Sequence, residues 1–195
     1  MNIFFIHPDA REAARQLCDK HICKMILESV QMLSTAHPEG LAPYGCIKSH
    51  LNHPCTKWAR QTLGNYTWLS EHLDEMCLEY TRRYEKVHKM QGASDWLKDT
   101  APLNLVDHGI QTTNPPQCMP DECKVHDGTK WSSTVKAYRK YYTVEKAYFA
   151  KWKKGGTPQW FLNEKKATPM VDRYESADLQ RERDEKAEKE KNLNG

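Results

Sequence analysis

Residues 9–36, DAREAARQLCDKHICKMILESVQMLSTA, decide the fold class. Cys18, Ile22, Met25, Ile26, Val30 and Leu33 recur at three- and four-residue steps, the spacing that lines one stripe of an α-helix with apolar side chains. Pro8-Asp9 opens the stretch and His37-Pro38-Glu39-Gly40 closes it, so the pattern predicts one long helix over 9–36. With about 100° per residue, Lys20, His21, Lys24, Glu28 and Gln31 fall on a separate strip of that helix.

Working outward, residues 2–6 read as a short extended segment and residues 41–51 as a Pro/Gly loop. Asn52-His53-Pro54 is a helix start, because a proline in the first turn costs no hydrogen bond. The helical pattern then continues to about residue 90, with a bend expected at Gly64-Asn65, and Leu69, Leu73, Met76, Cys77, Tyr80, Tyr84 and Val87 form its core stripe. Asn114-Pro115-Pro116-Gln117-Cys118-Met119-Pro120-Asp121 forbids a helix and predicts a rigid loop that can wall a site. Ser132-Ser133 caps a third helix over 133–153, where Tyr138, Tyr142, Phe149 and Trp152 read as a buried stripe with lysines pointing outward. Gly155-Gly156-Thr157-Pro158 ends that helix and Trp160-Phe161 docks back. The expectation is a mainly α fold: a compact bundle of about three long helices with Pro-rich loops, forming one domain over 1–163. Residues 164–195 are charged and too poor in apolar groups to fold alone, and read as a disordered or transiently helical tail.

A chain of 195 residues with 38 % hydrophobic content, six Trp and nine Tyr can build one ordinary core. Its net charge of +3 argues against a general nucleic-acid coat, so any basic surface must come from local clustering. No run approaches the roughly 18 apolar residues of a membrane span, and the first residues lack a basic leader. Seven cysteines in a Lys/Glu-rich chain fit free thiols in a reducing cytosol better than a disulfide framework. Cys118, Cys123 and His126 have metal-binding side chains, but their spacing is loose and no fourth ligand stands out; neither metal nor cofactor is expected.

The polar strip on the first helix carries the chemistry. A carboxylate beside two ammonium groups and an imidazole suits acid/base or electrostatic work on an anionic substrate, with Glu28, His21 and Lys24 as catalytic candidates. The plain alternative is a solvated face with a Lys24–Glu28 pair, common on helices and worth only about 0.2–0.5 kcal/mol. Lys20, Gln31, His50, Asn52, His53, Gln117, Arg139 and Lys140 are the binding candidates, if separate elements converge on the strip.

Three motifs carry a resemblance: Cys-Asp-Lys-His-x-x-Lys-Met-x-x-Glu at 18–28, Asn-His-Pro at 52–54, and Pro-Pro-Gln-x-Met-Pro-Asp at 115–121. Together they resemble a group of uncharacterised phage-encoded helical proteins. More distantly, Asp19, His21 and Glu28, the Asn-His-Pro start, the aromatic and Glu-rich helix over 66–83 and the Pro158–Phe161 ending resemble the pyrimidine-dimer DNA glycosylases of the endonuclease V type. That resemblance implies an N-terminal amine that attacks C1′ of a damaged pyrimidine nucleotide and forms a Schiff base. It implies that Glu28 stabilises the sugar cation and that His21 orients phosphate or Glu28. The chain departs from that pattern at Asn2, whose size opposes removal of the initiator methionine. The amine then sits on Met1, one residue out of register, and Lys24 is the substitute if burial lowers its pKa.

The sequence therefore points to a DNA-acting enzyme on a pyrimidine nucleotide, N-glycosylase/lyase-like or base-modifying. The alternative is a non-catalytic nucleotide or nucleic-acid binder, such as a phage sequestration or anti-defence protein; a helical protein with no site is a third reading. The expected partner is DNA or a nucleotide, with no membrane and no obligate protein partner, and the expected location is the cytoplasm, that of the host if the chain is phage-encoded.

Overall fold

The first six residues form the spine of the core. In the computed structural model, which describes residues 1–38, 49–108, 111–128 and 130–167, Ile3, Phe4, Phe5 and Ile6 are all buried. Phe5 meets the rings of Trp58, Trp68, Trp131 and Tyr138 at centroid distances of 4.9, 5.0, 5.8 and 5.6 Å. Burying a side chain of this size contributes roughly 1.5–3 kcal/mol, enough to thread an otherwise irregular segment through the helices.

The described residues are mainly helical, in the order α1 (Ala10–Arg15), α2 (Asp19–Ser34), α3 (Pro54–Ala59), α4 (Leu63–Tyr84), α5 (Gln91–Asp99), α6 (Lys130–Glu145) and α7 (Gln159–Ala167). Helix α4 is the longest and packs on α1, α2, α3 and α5. Among the described residues, no helix is long and apolar enough to cross a membrane.

The single helix expected over 9–36 is two helices. Cys18 leaves helical geometry at φ −67°, ψ 161°, and the carbonyls freed at the break are taken by side chains from elsewhere. Arg83 donates to Arg15 O at 2.9 Å and Leu17 O at 2.8 Å, and Trp152 Nε1 donates to Gln16 O at 3.0 Å. Hydrophobic period cannot reveal such a break, because both halves keep their apolar face toward one core.

The bend expected at Gly64-Asn65 lies instead at residues 60–62. Thr62 caps α4 through Asn65 N–H at 3.1 Å, and buried Asn65 ties Trp58 O to Thr113. His53 and Pro54 start α3 as expected, with Pro54 in the first turn and His53 Nδ1 accepting the Cys55 N–H at 3.2 Å.

The third helix begins at Lys130 and stops at Glu145, well short of residue 153. Past it the chain turns to cap α2: Asp19 N–H donates to Lys151 O at 2.9 Å, and Lys153 N–H donates to Asp19 Oδ2 at 2.7 Å. The first bond satisfies a free donor at the start of α2 and the second anchors the returning chain there, a long-range gain that local propensity does not register. Trp160 and Phe161 do dock back, with Phe161 buried against Trp152. Helix α7 carries through Ala167, beyond the boundary read at 163. The loop signals at residues 39–48 and the tail from 168 onward lie outside the described residues.

Candidate functional site

The buried N-terminal segment runs beside α2 and brings the start of the chain to Glu28. The Met1 α-amine lies 3.6 Å from Glu28 Oε2, and the Asn2 backbone N–H donates to the same oxygen at 2.9 Å. The other carboxylate oxygen lies 3.5 Å from Lys24 Nζ. Glu28 is only 12 % exposed while Lys24 is 66 % exposed, so the burial that a Schiff-base lysine relies on is missing at Lys24.

Asn2 fixes this geometry. Its Oδ1 accepts from Ile3 N–H and from the buried Tyr138 O–H, each at 2.8 Å, and its Nδ2 donates to Cys118 O at 2.9 Å. Thr56 O–H points to the Met1 sulfur at 3.3 Å. The amine is thus held by the Pro-rich loop, α3 and α6 rather than left to fray, which is the preorganisation a reacting group needs.

The site opens into a cleft of about 460 Å³ lined by Met1, Asn2, Phe4, Lys20, His21, Lys24, Glu28, Cys118, Tyr141, Lys146 and Phe149, among others. Lys20 stands over the Phe149 ring at 4.7 Å and Lys146 over the Tyr141 ring at 4.6 Å. Aromatic faces beside ammonium groups offer a stacking surface and a counter-charge together, which is how single nucleotides outside a duplex are held. A second cleft of about 290 Å³ shares Lys20 and Phe149 and adds Asp19, Lys151, Lys153 and Lys154.

His21 lines the larger cleft but does not hydrogen-bond to Glu28. Its ring stacks on Phe4 at 4.0 Å and its Nδ1 pairs with the Tyr142 hydroxyl. Burial first, then the charges of Lys146, Lys24 and Lys20, lowers its pKa to about 3, so it is a neutral imidazole at pH 7. The helical wheel placed it with Lys24 and Glu28, yet it points inward because α2 buries a wider arc than its aliphatic stripe.

Of the remaining candidates, Lys20 is at the cleft, and half-buried His53 stands behind it. The His53 pKa is lowered by burial and then by the N-terminal amine and His50, while Glu28 acts in the opposite direction. His50 and Asn52 are exposed in the turn before α3, and Gln31 is outside the cleft lining. Gln117 is occupied by a two-way clamp on Val125, at 2.7 and 2.9 Å. Arg139 donates to Ile6 O at 3.0 Å and faces Trp160, and Lys140 reaches Glu122 O. The structure does not bring these last three to Glu28. Lys146, just past α6, takes the cleft position instead.

Asp19 is a structural group, bonded by Arg83 and by the Lys153 amide. Cys118 does not meet Cys123 and His126. It meets Cys55, Sγ to Sγ 3.5 Å, next to His53.

A likeness to a glycosylase family covers a little under half of the chain. Residues 1–91 match the family described as pyrimidine dimer DNA glycosylase. The matched segment contains Met1, Asn2, Lys20, His21, Lys24, Glu28 and His53, while Cys118, Tyr141, Lys146 and Phe149 come from beyond it. No curated protein and no solved structure matches the chain. The resemblance to pyrimidine-dimer glycosylases therefore rests on this one family match.

Proposed function

We propose that the protein is a DNA N-glycosylase/lyase that acts on a pyrimidine nucleotide, with the N-terminal α-amine as nucleophile and Glu28 as its catalytic carboxylate. The observation that carries this reading is the 3.6 Å approach of the Met1 amine to Glu28 Oε2 at the floor of a cleft flanked by Lys20, Lys24 and Lys146. The match of residues 1–91 to the glycosylase family supports it.

In this reading, Glu28 accepts the proton that frees the amine lone pair. That pair attacks C1′, the C1′–N bond to the base breaks, and the base leaves with those electrons and takes up a proton. The attached nitrogen then loses a proton as O4′ gains one, the C1′–O4′ bond opens to the Schiff base, and loss of a C2′ proton expels the 3′ phosphate. A nearly buried carboxylate is well placed to stabilise the cationic sugar, since water does not screen it there. The target nucleotide must leave the stack to reach the amine, and Tyr141 and Phe149, both partly exposed, offer ring faces to receive it. If the initiator methionine is removed, the new amine arises at Asn2 N, already 2.9 Å from the same oxygen; both registers keep the pairing with Glu28.

The test is borohydride trapping on duplex oligonucleotides that carry an abasic site or an ultraviolet-induced pyrimidine dimer, followed by peptide mapping of the adduct. The expected result is a covalent band whose sugar maps to the first residue, and a fall in turnover on the order of 10²–10³-fold in Glu28→Gln with DNA binding retained. Mapping to Lys24 would move the nucleophile there. A folded protein that gives no adduct, but is stabilised by free nucleotide, would replace the enzyme with a binding protein.

A further inference from the structure

Behind the N-terminal amine, three metal-ligating side chains from two parts of the fold converge. His53 precedes α3, Cys55 lies in its first turn and Cys118 comes from the Pro-rich loop; their ligand atoms all lie within 4.8 Å of one another. We propose that His53, Cys55 and Cys118 form a binding site for a thiophilic divalent metal ion, zinc in the first instance.

The separation of the two sulfurs, set by a thiol hydrogen bond, also suits chelation. Zinc–sulfur bonds of about 2.3 Å at a tetrahedral angle set two sulfurs about 3.8 Å apart, and the observed distance is 3.5 Å. A disulfide needs about 2.05 Å, a far larger closure. His53 Nδ1 already faces Cys55, where it accepts the Cys55 N–H at 3.2 Å; on binding, the metal displaces that N–H from the Nδ1 lone pair, and Nε2 carries the proton. Half-buried His53 closes the remaining distance by turning its ring.

Two thiolates and a neutral imidazole balance the charge of a divalent ion, and the two thiol protons pass to solvent. Asn2 Oδ1 lies 3.7 Å from Cys55 Sγ but already accepts two hydrogen bonds, so water takes the fourth position. A metal here ties α3 to the loop whose Cys118 carbonyl holds Asn2, and so stiffens the seat of the amine. The proposal does not depend on the glycosylase reading, because its readout is metal content.

The experiment uses the full chain, freed of metal with a chelator, kept in a phosphine reductant and dialysed against zinc. Expected are about one zinc per chain by elemental analysis, release of protons on binding, and loss of the zinc in Cys118→Ser and Cys55→Ser but not in Cys123→Ser. If Cys55→Ser fails to fold, Cys118→Ser at the half-buried position decides. No retained zinc in the reduced wild-type chain, or zinc retained equally in Cys118→Ser, overturns the site.

Discussion

His72 and His21 illustrate what a buried imidazole does to this protein. His72 sits inside α4 with Nδ1 donating to Ala10 O at 2.8 Å, and burial lowers its pKa from 6.5 to about 4, the hydrogen bond opposing part of that fall. His21 falls to about 3 for the reasons given above. Both are neutral in the folded chain, whereas the unfolded chain protonates them below about pH 6.5. Their contribution is therefore fully present above that pH and is lost as pH falls toward 4 and 3. The loss amounts to about 1.4 kcal/mol per pH unit per group while only the unfolded state is protonated. Urea midpoints between pH 7 and 5 should drop in the wild type and drop less in His72→Gln, which keeps a donor for Ala10 O without a titrating ring. Equal slopes in the two proteins would show that His72 is not buried neutral. At this scale the sequence was informative about Glu28, Lys24 and Lys20, which a single helix face sets side by side. No local period relates residue 1 to 28 or residue 55 to 118, so the Met1–Glu28 approach was legible only through what the family resemblance implies, and the Cys55–Cys118 contact not at all.

The break between α1 and α2 is an element-scale device, and Arg83 of α4 is its keystone. The guanidinium is 1 % exposed and donates to Arg15 O, Leu17 O, Asp19 Oδ1 and Glu79 Oε2. Burial works against the charge of Glu79, yet the hydrogen bonds from Arg82 and the charge of Arg83 hold its carboxyl below the usual range. The planar fork of arginine can meet carbonyls and carboxylates in several directions at once, which a lysine ammonium cannot reproduce. Replacement by methionine would leave the Arg15 and Leu17 carbonyls without this donor and take one buried partner from each of Asp19 and Glu79. We expect Arg83→Met to cost about 3–5 kcal/mol and Arg83→Lys to recover only part of it, measured by urea denaturation at pH 7. A loss under about 1 kcal/mol for Arg83→Met would mean that water or Arg82 satisfies these groups. The helical stripes over α2 and α4 were legible in the sequence because burial imposes a period. The start of α3 at His53-Pro54 was legible too, but the end of α1 was not, since its freed carbonyls bond to side chains far along the chain.

For the molecule as a whole, a net charge of +3 understates the field at the site. Lys20, Lys24 and Lys146 border the larger cleft, and Lys20, Lys151, Lys153 and Lys154 border its neighbour, so the two form one basic tract across the mouth of the amine pocket. The sequence concealed the tract because its lysines come from α2 and from the irregular chain after α6, and only the turn that caps α2 brings them together. If DNA is the substrate, its phosphates should follow this tract, and binding should weaken with salt in proportion to the phosphates neutralised. Each such contact to a duplex contributes about 0.9 to the slope of log affinity against log salt. Lys151→Gln with Lys153→Gln should lower that slope by up to about 2, with little change in folding, because both side chains are exposed. Lys57, on α3 beside a different cleft, serves as the control and should leave the slope unaltered. A slope that responds to Lys57→Gln and not to the double variant would put the phosphates over the α3 cleft. The N-terminal amine would then lie off the DNA path, and an amine-based excision reaction would lose its geometry.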